Sequence, residues 1–591
     1  MSDYQSADSY LYDQATSSDH TPSVSRSKRM TYVTDRNNGS YGSGVIEIDA
    51  QSQLMGAKGF ASLRDSYITL PYVVSLQNVG DVGASAMNGI MNRYCTALKC
   101  GVWNVVDSLQ VEMDGKTILT DGDYKLFWNN IRAQTEWSES DLSKHGADAF
   151  VAPDDWNSMS YSRDPTGSLS GDGFINNFSN EQAPGGVVPS ETQLGKNEGF
   201  VKRAYLNPQP TGNVDGTGRN PYNWITQRSQ VATQISNQNG KGAFVTTVNP
   251  AARTDVAGVW YHMLKIRLVD LHPIFKEFDL IANPSLKLRL RINQGFTEIN
   301  LTGGAPSAAR MALRTTTMTS GNTVPVMLAS AAPGNAMAGL LPTTGGTVLR
   351  LAFGPLQNSI TSYQTAGTYF PYSTSRLNIP FYDIANPSAI ISKPVKHVKF
   401  LDCYAQYFQG AGGKGQIDDR QISAPINVQL SAFHKNIKHV IAVPFSETSS
   451  GHYTTATNID QFRSPFDSAP WTCQAGSSLR SMQIQVGNEN VFSKTLDYDY
   501  ELYENEFKKL GAINGGLTHE VSNGLVDFQK FSTIHRYVVG DCSRITDPNV
   551  PQSVQLTGTN SSCQGCNLLI LVIFERSLSY DRLTGEVQLD V

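Results

Sequence analysis

The chain has 591 residues and a mass of 64.5 kDa, with 40% hydrophobic residues but only 17% charged ones, a formal net charge of −5 and a pI near 6.1. That length accommodates two large domains or several small ones, and the mild acidity carries no global signature of binding to nucleic acid or to anionic membrane. Charge falls well below the roughly 25% of ordinary soluble proteins, and Ser, Thr, Asn and Gln replace it, which suits a surface that mostly meets other protein.

Residues 1–40 are rich in Ser, Asp, Tyr and Asn with few aliphatics, the composition of a flexible N-terminal arm. Arg26, Lys28 and Arg29 are its one basic cluster, readable as a contact to nucleic acid or to a neighbouring subunit, or as a solvated tail. The start has neither a basic segment nor a hydrophobic one, so no secretory signal is expected, and the sequons at Asn38, Asn177 and Asn300 are expected to stay unglycosylated. Strand patterns begin at 45–48, and 67–77 is a long one.

The stretch 107–131 orders the first unit. Leu109, Val111 and Met113 alternate with Gln110 and Glu112, the period of a strand with one buried face. Asp114-Gly115 then supplies a tight turn with positive φ at both central positions, and 116–119 returns. Asp121 or Asp123 can cap a following helix whose face is Tyr124, Phe127 and Ile131. Beyond it, 135–255 is dominated by Gly, Asn, Ser, Asp and Pro, a large loop insertion expected to stand out from the unit or pack on a neighbour. Leu264, Ile266 and Leu268 form a strand, 270–278 a short helical crossover, and Leu286, Leu288, Leu290 and Ile292 a second strand. Lys265, Arg267, Lys287, Arg289 and Arg291 line their outer face, which reads as the solvated side of an antiparallel sheet in preference to a phosphate site.

Residues 302–393 are a connector by composition, with strands at 347–353 and 377–382 that the sequence assigns to neither neighbour. From 394 the pattern returns. Ser481 to Asn488 repeats Ser108 to Gly115 with the apolar face, the glutamine and the turn in the same places, and Tyr500, Tyr503 and Phe507 follow behind Asp497 and Asp499 as caps. Residues 441–445 match 68–72 at the same offset of 373, so the chain reads as an internal duplication. Matching Leu286 with Leu568 gives the first unit 91 extra residues. The longest apolar run, 567–574, has the length of a buried strand and is far short of the roughly 20 residues of a membrane helix.

No arrangement for catalysis or cofactor binding stands out: the expected site residues are none, whether catalytic, cofactor-binding or metal-binding. Lys414 follows Gly410 to Gly413, but Gly415 replaces the Ser or Thr of a phosphate loop and Phe408 its first glycine. Asp497, Asp499 and Glu501 sit at a helix start, where the dipole explains them. Cys563 and Cys566 form a lone CxxC without partner ligands. The seven cysteines, Cys95, Cys100, Cys403, Cys473, Cys542, Cys563 and Cys566, read as reduced thiols of a protein made in a reducing compartment.

The expected fold is all-β, two tandem jelly-roll sandwiches with short helices and long loops: arm 1–40, first jelly roll 41–301 with the insertion at about 135–255, connector 302–393, second jelly roll 394–591. The 107–115 hairpin, the crossover Val269-Asp270-Leu271-His272-Pro273-Ile274-Phe275 with the strand after it, and the closing 574–585 stretch resemble the double-jelly-roll major capsid proteins of double-stranded DNA viruses, polinton-like viruses and virophages above all. The resemblance covers about 65–591 and rests on order, length and duplication. It implies a non-enzymatic virion protein without cofactors, a homotrimer whose six similar corners tile an icosahedral shell. It also implies penton and minor or cement capsid proteins as partners, and a weak contact of the arm with the genome. In such proteins loops form outer towers and termini face inward, which would make 135–255 a tower and 1–40 an inner tie. The rival reading is a two-jelly-roll carbohydrate-binding or adhesive protein, which would carry a signal peptide and a groove of aromatics and carboxylates.

Overall fold

The computed structural model describes residues 25–78, 94–151, 229–231, 256–302, 310–315, 325–330, 347–354, 374–446, 479–510 and 524–589, with short breaks inside these spans. Eight strands of the first unit form its jelly-roll framework, with further strands added to one sheet: β1 (Ser25–Thr34), β2 (Val45–Asp49), β3 (Tyr67–Asn78), β4 (Val106–Met113), β5 (Lys116–Asp121), β6 (Val256–Arg267), β7 (Leu286–Ile292) and β8 (Arg376–Ile384). Eight more build the second: β9 (Val395–Gly412), β10 (Ala424–Gln429), β11 (Ile437–Ser446), β12 (Leu479–Val486), β13 (Glu489–Asn490), β14 (Val538–Asp541), β15 (Val554–Asn560) and β16 (Cys566–Asp581).

Their order within the sheets is the same. In the first unit β2-β7-β4-β5 faces a sheet containing β1, β8, β3 and β6; in the second β10-β15-β12-β13 faces β9-β16-β11-β14. Every pairing is antiparallel, and each strand of the second unit stands where its counterpart eight numbers earlier stands in the first. This is the two-sheet jelly roll, built twice. The duplicated residues also agree in orientation: Leu109, Val111 and Met113 are buried, as are Met482, Ile484 and Val486. At the first hairpin Asp114 and Gly115 have φ of 50° and 70°, the conformation that the Asp-Gly pair supplies at low cost.

Register corrects the expected correspondence of late strands. Val111 pairs with Leu288 and Ile484 with Leu556, so β7 matches β15, and Leu568 lies one strand later in β16. From Ser108 to Leu288 is 180 residues and from Ser481 to Leu556 is 75, so the first unit carries 105 extra residues there in place of 91. The confusion has a physical source: β16 is central in its sheet and buried along most of its length, so it reads as an unbroken apolar run.

Two expected boundaries also move. Residues 25–34 are not flexible arm but β1, whose partner is β8, inside what reads as connector. The edge position explains the misleading composition, because among the described side chains of β1 only Val33 is buried while Ser27, Lys28, Arg29, Met30 and Tyr32 are exposed. The basic residues serve the pairing: Lys28 lies 5.3 Å from the centre of the Tyr382 ring, Arg29 lies 6.0 Å from that of Phe381, and Arg376 sits over Tyr32 at 4.8 Å. Behind them Tyr41 donates a 2.6 Å hydrogen bond to Asp35, which also accepts from the Ser375 amide, so the two ends of the first sandwich are tied in its interior. The strand Thr347–Gly354 pairs with the far end of β3 and with Gly295–Thr302, which assigns it to the first unit as well.

The five basic residues of the outer face meet carboxylates: Lys265 pairs with Asp148, Arg267 with Asp270, Lys287 and Arg289 with Glu47, and Arg291 with Asp107. They do not share one sheet, as the sequence suggested, since β6 and β7 belong to the two opposed sheets; they are charged side chains on two faces, worth little each in stability. Of the insertion, α2 (Glu139–Ala149), which follows α1 (Trp128–Glu136), is capped by Ser138 and Asp141 acting reciprocally. The rest of the expected 135–255 tower, residues 1–24 and Lys414 lie outside the described residues, apart from 229–231, which pairs with β6, while 410–412, expected as a turn, are the end of β9. Cys403, Cys542 and Cys566 are buried; Cys563 lies outside the described residues.

Candidate functional site: the junction of the two sandwiches

The two cores are interlocked by exchange of side chains. The expected helix after β5 exists, as a turn at Lys125–Phe127 running into α1, and its face does carry Tyr124, Phe127 and Ile131. That face leaves its own sandwich. Phe127, Trp128 and Ile131 belong to the core cluster of the second unit, where Phe127 meets Phe445 edge-on at 5.9 Å, and Tyr124 stacks on Tyr407 at 5.2 Å. The end of the helix is received too. The carbonyl of Gln134 accepts from the Leu525 amide at 2.7 Å and that of Trp137 from Gly524 at 3.1 Å, while Tyr537 donates to the Gln134 side chain. Carbonyls at a helix end, otherwise orphaned, are thus satisfied by the other sandwich.

The second unit returns the contact. β9 and β16 overrun their sandwich, and Val398, Phe400, Leu578, Tyr580 and Val587 lie in the core of the first. Tyr580 and Lys396 both donate to the Glu277 carbonyl, at 2.8 and 3.1 Å, and Tyr580 packs edge-on against Phe278. The closing segment then lies along the first unit: the Ala282 amide donates to Arg582, Asn283 to Leu583 and Lys116 to Val587. Gly585 makes this approach possible. Its φ is +79°, and a Cβ there would stand 2.4 Å from the Asn283 carbonyl oxygen, a backbone atom that cannot swing aside. Gly585→Ala should therefore detach the closing segment and lower stability by about 1–3 kcal/mol. Urea midpoints and proteolysis after residue 580 check it, and a variant as resistant as its parent refutes it.

At the centre of this junction lies a charged cluster that the sequence reading did not find. Asp121 ends β5, His272 stands in the crossover between β6 and β7, and Asp402 is on β9; their exposures are 3%, 2% and 4%. One ligand-type atom from each lies within 4.8 Å of the other two. Asp121 was expected as a helix cap, but α1 has no side-chain cap bond, and the carboxylate points into the junction with one oxygen unpaired. Asp123 lies outside the described residues. In the second copy the expectation holds, since Asp499 accepts from the Leu502 amide, although Tyr500 is 59% exposed and only Tyr503 and Phe507 face inward.

The protonation pattern follows from the hydrogen bonds. His272 Nδ1 accepts from the Ile274 amide at 3.1 Å, so the ring proton sits on Nε2, which faces Asp402 Oδ1 at 3.6 Å. Asp402 Oδ2 takes a 2.7 Å bond from Arg576, and Oδ1 one from its neighbour's amide, Cys403. Burial pushes the Asp402 carboxyl up, but His272, Arg576 and the Cys403 amide outweigh it and hold it well below the usual carboxylate range. Asp121 has no such support. Burial pushes it up to about 6 against the pull of His272, the charge of Asp402 adding to the rise and Lys125 and Arg132 opposing it less.

Two carboxylates and an imidazole at this spacing are also a donor set for a divalent cation. The geometry does not fit one. An imidazole bound to metal donates its spare N–H, whereas the spare nitrogen of His272 accepts, leaving a proton on the nitrogen that would face the ion, and Arg576 already neutralises Asp402. The cluster is a charge lock between sandwiches. Trp128 and Phe400 close over the imidazole edge-on at 6.1 and 6.0 Å and keep water out.

No family model matches the chain, and no curated protein matches it. Among solved structures it is similar to the mavirus major capsid protein, with 11% identity over 98% of this chain and 94% of that one and a TM-score of 0.42. A chain from the structure of the Sputnik virophage matches with 9% identity over 97% and 91%, at a TM-score of 0.44. The Faustovirus major capsid protein matches with 7% identity over 96% and 93%, at 0.40.

Proposed function

We propose that the chain is a major capsid protein: a structural, non-catalytic subunit that forms a homotrimer, the trimers tiling an icosahedral shell around a double-stranded DNA genome. The observation that carries this reading is the presence of two jelly rolls of one topology joined side by side by exchanged core residues. Such a chain presents two similar flanks. Three copies about one axis present six, which lets a threefold object occupy a hexagonal lattice. A binding protein with two independent modules has no need of a shared core. The low charge supports the same reading, because large obligate interfaces are depleted of unpaired charge. No helix among the described residues is long and apolar enough to cross a membrane. Penton and minor capsid proteins as partners, a tie formed by residues before β1 and a location in the virion belong to the same proposal.

Native mass spectrometry of the purified protein is the test. The expected species is a trimer of 64.5 kDa chains that persists at nanomolar concentration, since obligate interfaces commonly bury more than about 2,000 Å². A monomer or dimer at micromolar concentration refutes the proposal, and a glycan bound to that monomer would identify a carbohydrate-binding protein instead.

A further inference from the structure

We propose that the Asp121–His272–Asp402 cluster is a proton-operated coupling between the two sandwiches: one proton taken up on Asp121 bridges the junction, and its release leaves two facing carboxylates that slacken it. The three groups come from three segments on both sides of the junction, so whatever passes among them is felt as a force between sandwiches. Asp121 is buried and offers an oxygen without a hydrogen-bond partner, and His272 Nε2 also lacks one. A protonated Asp121 fits this gap. Its hydroxyl donates to Asp402 while its other oxygen accepts the His272 N–H, and both unpartnered atoms are satisfied at once.

Without the proton Asp121 and Asp402 repel each other in a site closed to water, where such repulsion is poorly screened. The facing groups set the balance. From the turn before α1 and from α1 itself come Lys125 and Arg132, from the crossover His272, from β9 Asp402 and the Cys403 thiol, from β16 Arg576, and from the loop before β11 His434, which also feels Asp402 and Lys125. Arg576 is committed to Asp402, Arg132 to Asn129, the Val269 carbonyl and Glu136, and Lys125 to the Thr120 carbonyl, so each of these cations already has a partner other than Asp121.

The direction of the response follows. Asp121 titrates near 6 in the folded chain against 3.8 for the unperturbed group, so the folded protein binds the proton more tightly than the unfolded one. Its contribution to stability is complete below about 3.8 and is lost as pH rises through about 6. The junction is therefore tighter in mild acid and looser at neutral pH, opposite to the usual effect of acid on carboxylates.

Hydrogen-exchange mass spectrometry on the full-length protein at pH 5 and pH 8, corrected for intrinsic exchange, tests this in peptides covering 121–136, 268–278 and 400–405. Protection there should fall about tenfold from pH 5 to pH 8, since a group raised to about 6 holds most of its proton at pH 5 and none at pH 8, and remain level in Asp121→Asn, whose amide copies the protonated acid. Level protection in the parent, or an unchanged pH response in the variant, overturns the proposal. Should Asp121→Asn fail to fold, infrared spectra of the parent decide: a carboxylic-acid carbonyl band that disappears with a midpoint near pH 6 supports the coupling, and its absence at pH 5 refutes it.

Discussion

Trimming Trp128 to alanine should cost about 3–5 kcal/mol, the range for emptying a large aromatic site, although its helix, α1, follows β5 of the first sandwich in the chain. The side chain is 5% exposed because the second sandwich surrounds it: it lies in that unit's core, packs edge-on against His272 and carries Arg132 over its ring at 5.3 Å. The loss should register as a fall in the urea midpoint together with faster hydrogen exchange on both sides of the junction. Tyr500→Ala is the control. Removing that ring, 59% exposed on the corresponding helix of the second unit, α3 (Tyr500–Asn505), should change stability by less than about 0.5 kcal/mol. Equal effects from the two substitutions would mean that the helices are both superficial and that the cores are not interlocked.

Val486→Asp should have the larger effect and leave no soluble protein. Val486 is 1% exposed at the end of β12, paired with Val554 and facing the interior of the second sandwich. A carboxylate there costs several kcal/mol in whichever way it is accommodated, ionised without a partner or neutral with unmet hydrogen bonds. Native domains hold only about 5–15 kcal/mol in total. Gln485→Asp, one residue away on the half-exposed face, is expected to fold normally. Soluble yield and circular dichroism of the two variants make the comparison. A folded Val486→Asp protein would show that β12 does not face a core.

The contrast between these neighbouring residues marks what the sequence could disclose. Alternation in 108–113 and 481–486 depends only on local chemistry, so both strands, their turns and their equivalence are legible from composition and spacing. β1 is not, because an edge strand needs one buried row at most and this one, among its described side chains, buries Val33 alone beside exposed polar and charged ones. Its partner β8 closes the sandwich from within a stretch that reads as connector, and nothing local joins the two. The junction cluster was hidden for the same reason. Asp121 looks like a helix cap, His272 a residue before a proline, and Asp402 an ordinary strand residue. Only docking of the two units brings them within 4.8 Å. The apolar face of Tyr124, Phe127 and Ile131 was visible, but periodicity says that a face is buried and not which core receives it.

The long detour between β7 and β8 also sets the order of events during synthesis. Thr34 pairs with Arg376, 342 positions later, so β1 leaves the ribosome long before its partner exists. At about 5–20 residues per second that interval is roughly 17–70 s, during which an extended segment bearing Met30 and Tyr32 waits without a neighbour. Pairings this distant in sequence form slowly, and an unpaired strand is a template for the wrong chain. Lys28 and Arg29, which later settle against aromatic rings of β8, are the charges that discourage such mispairing in the meantime. The first sandwich can close only when the second is about to begin, ten residues upstream of β9, so the two halves of this chain mature together.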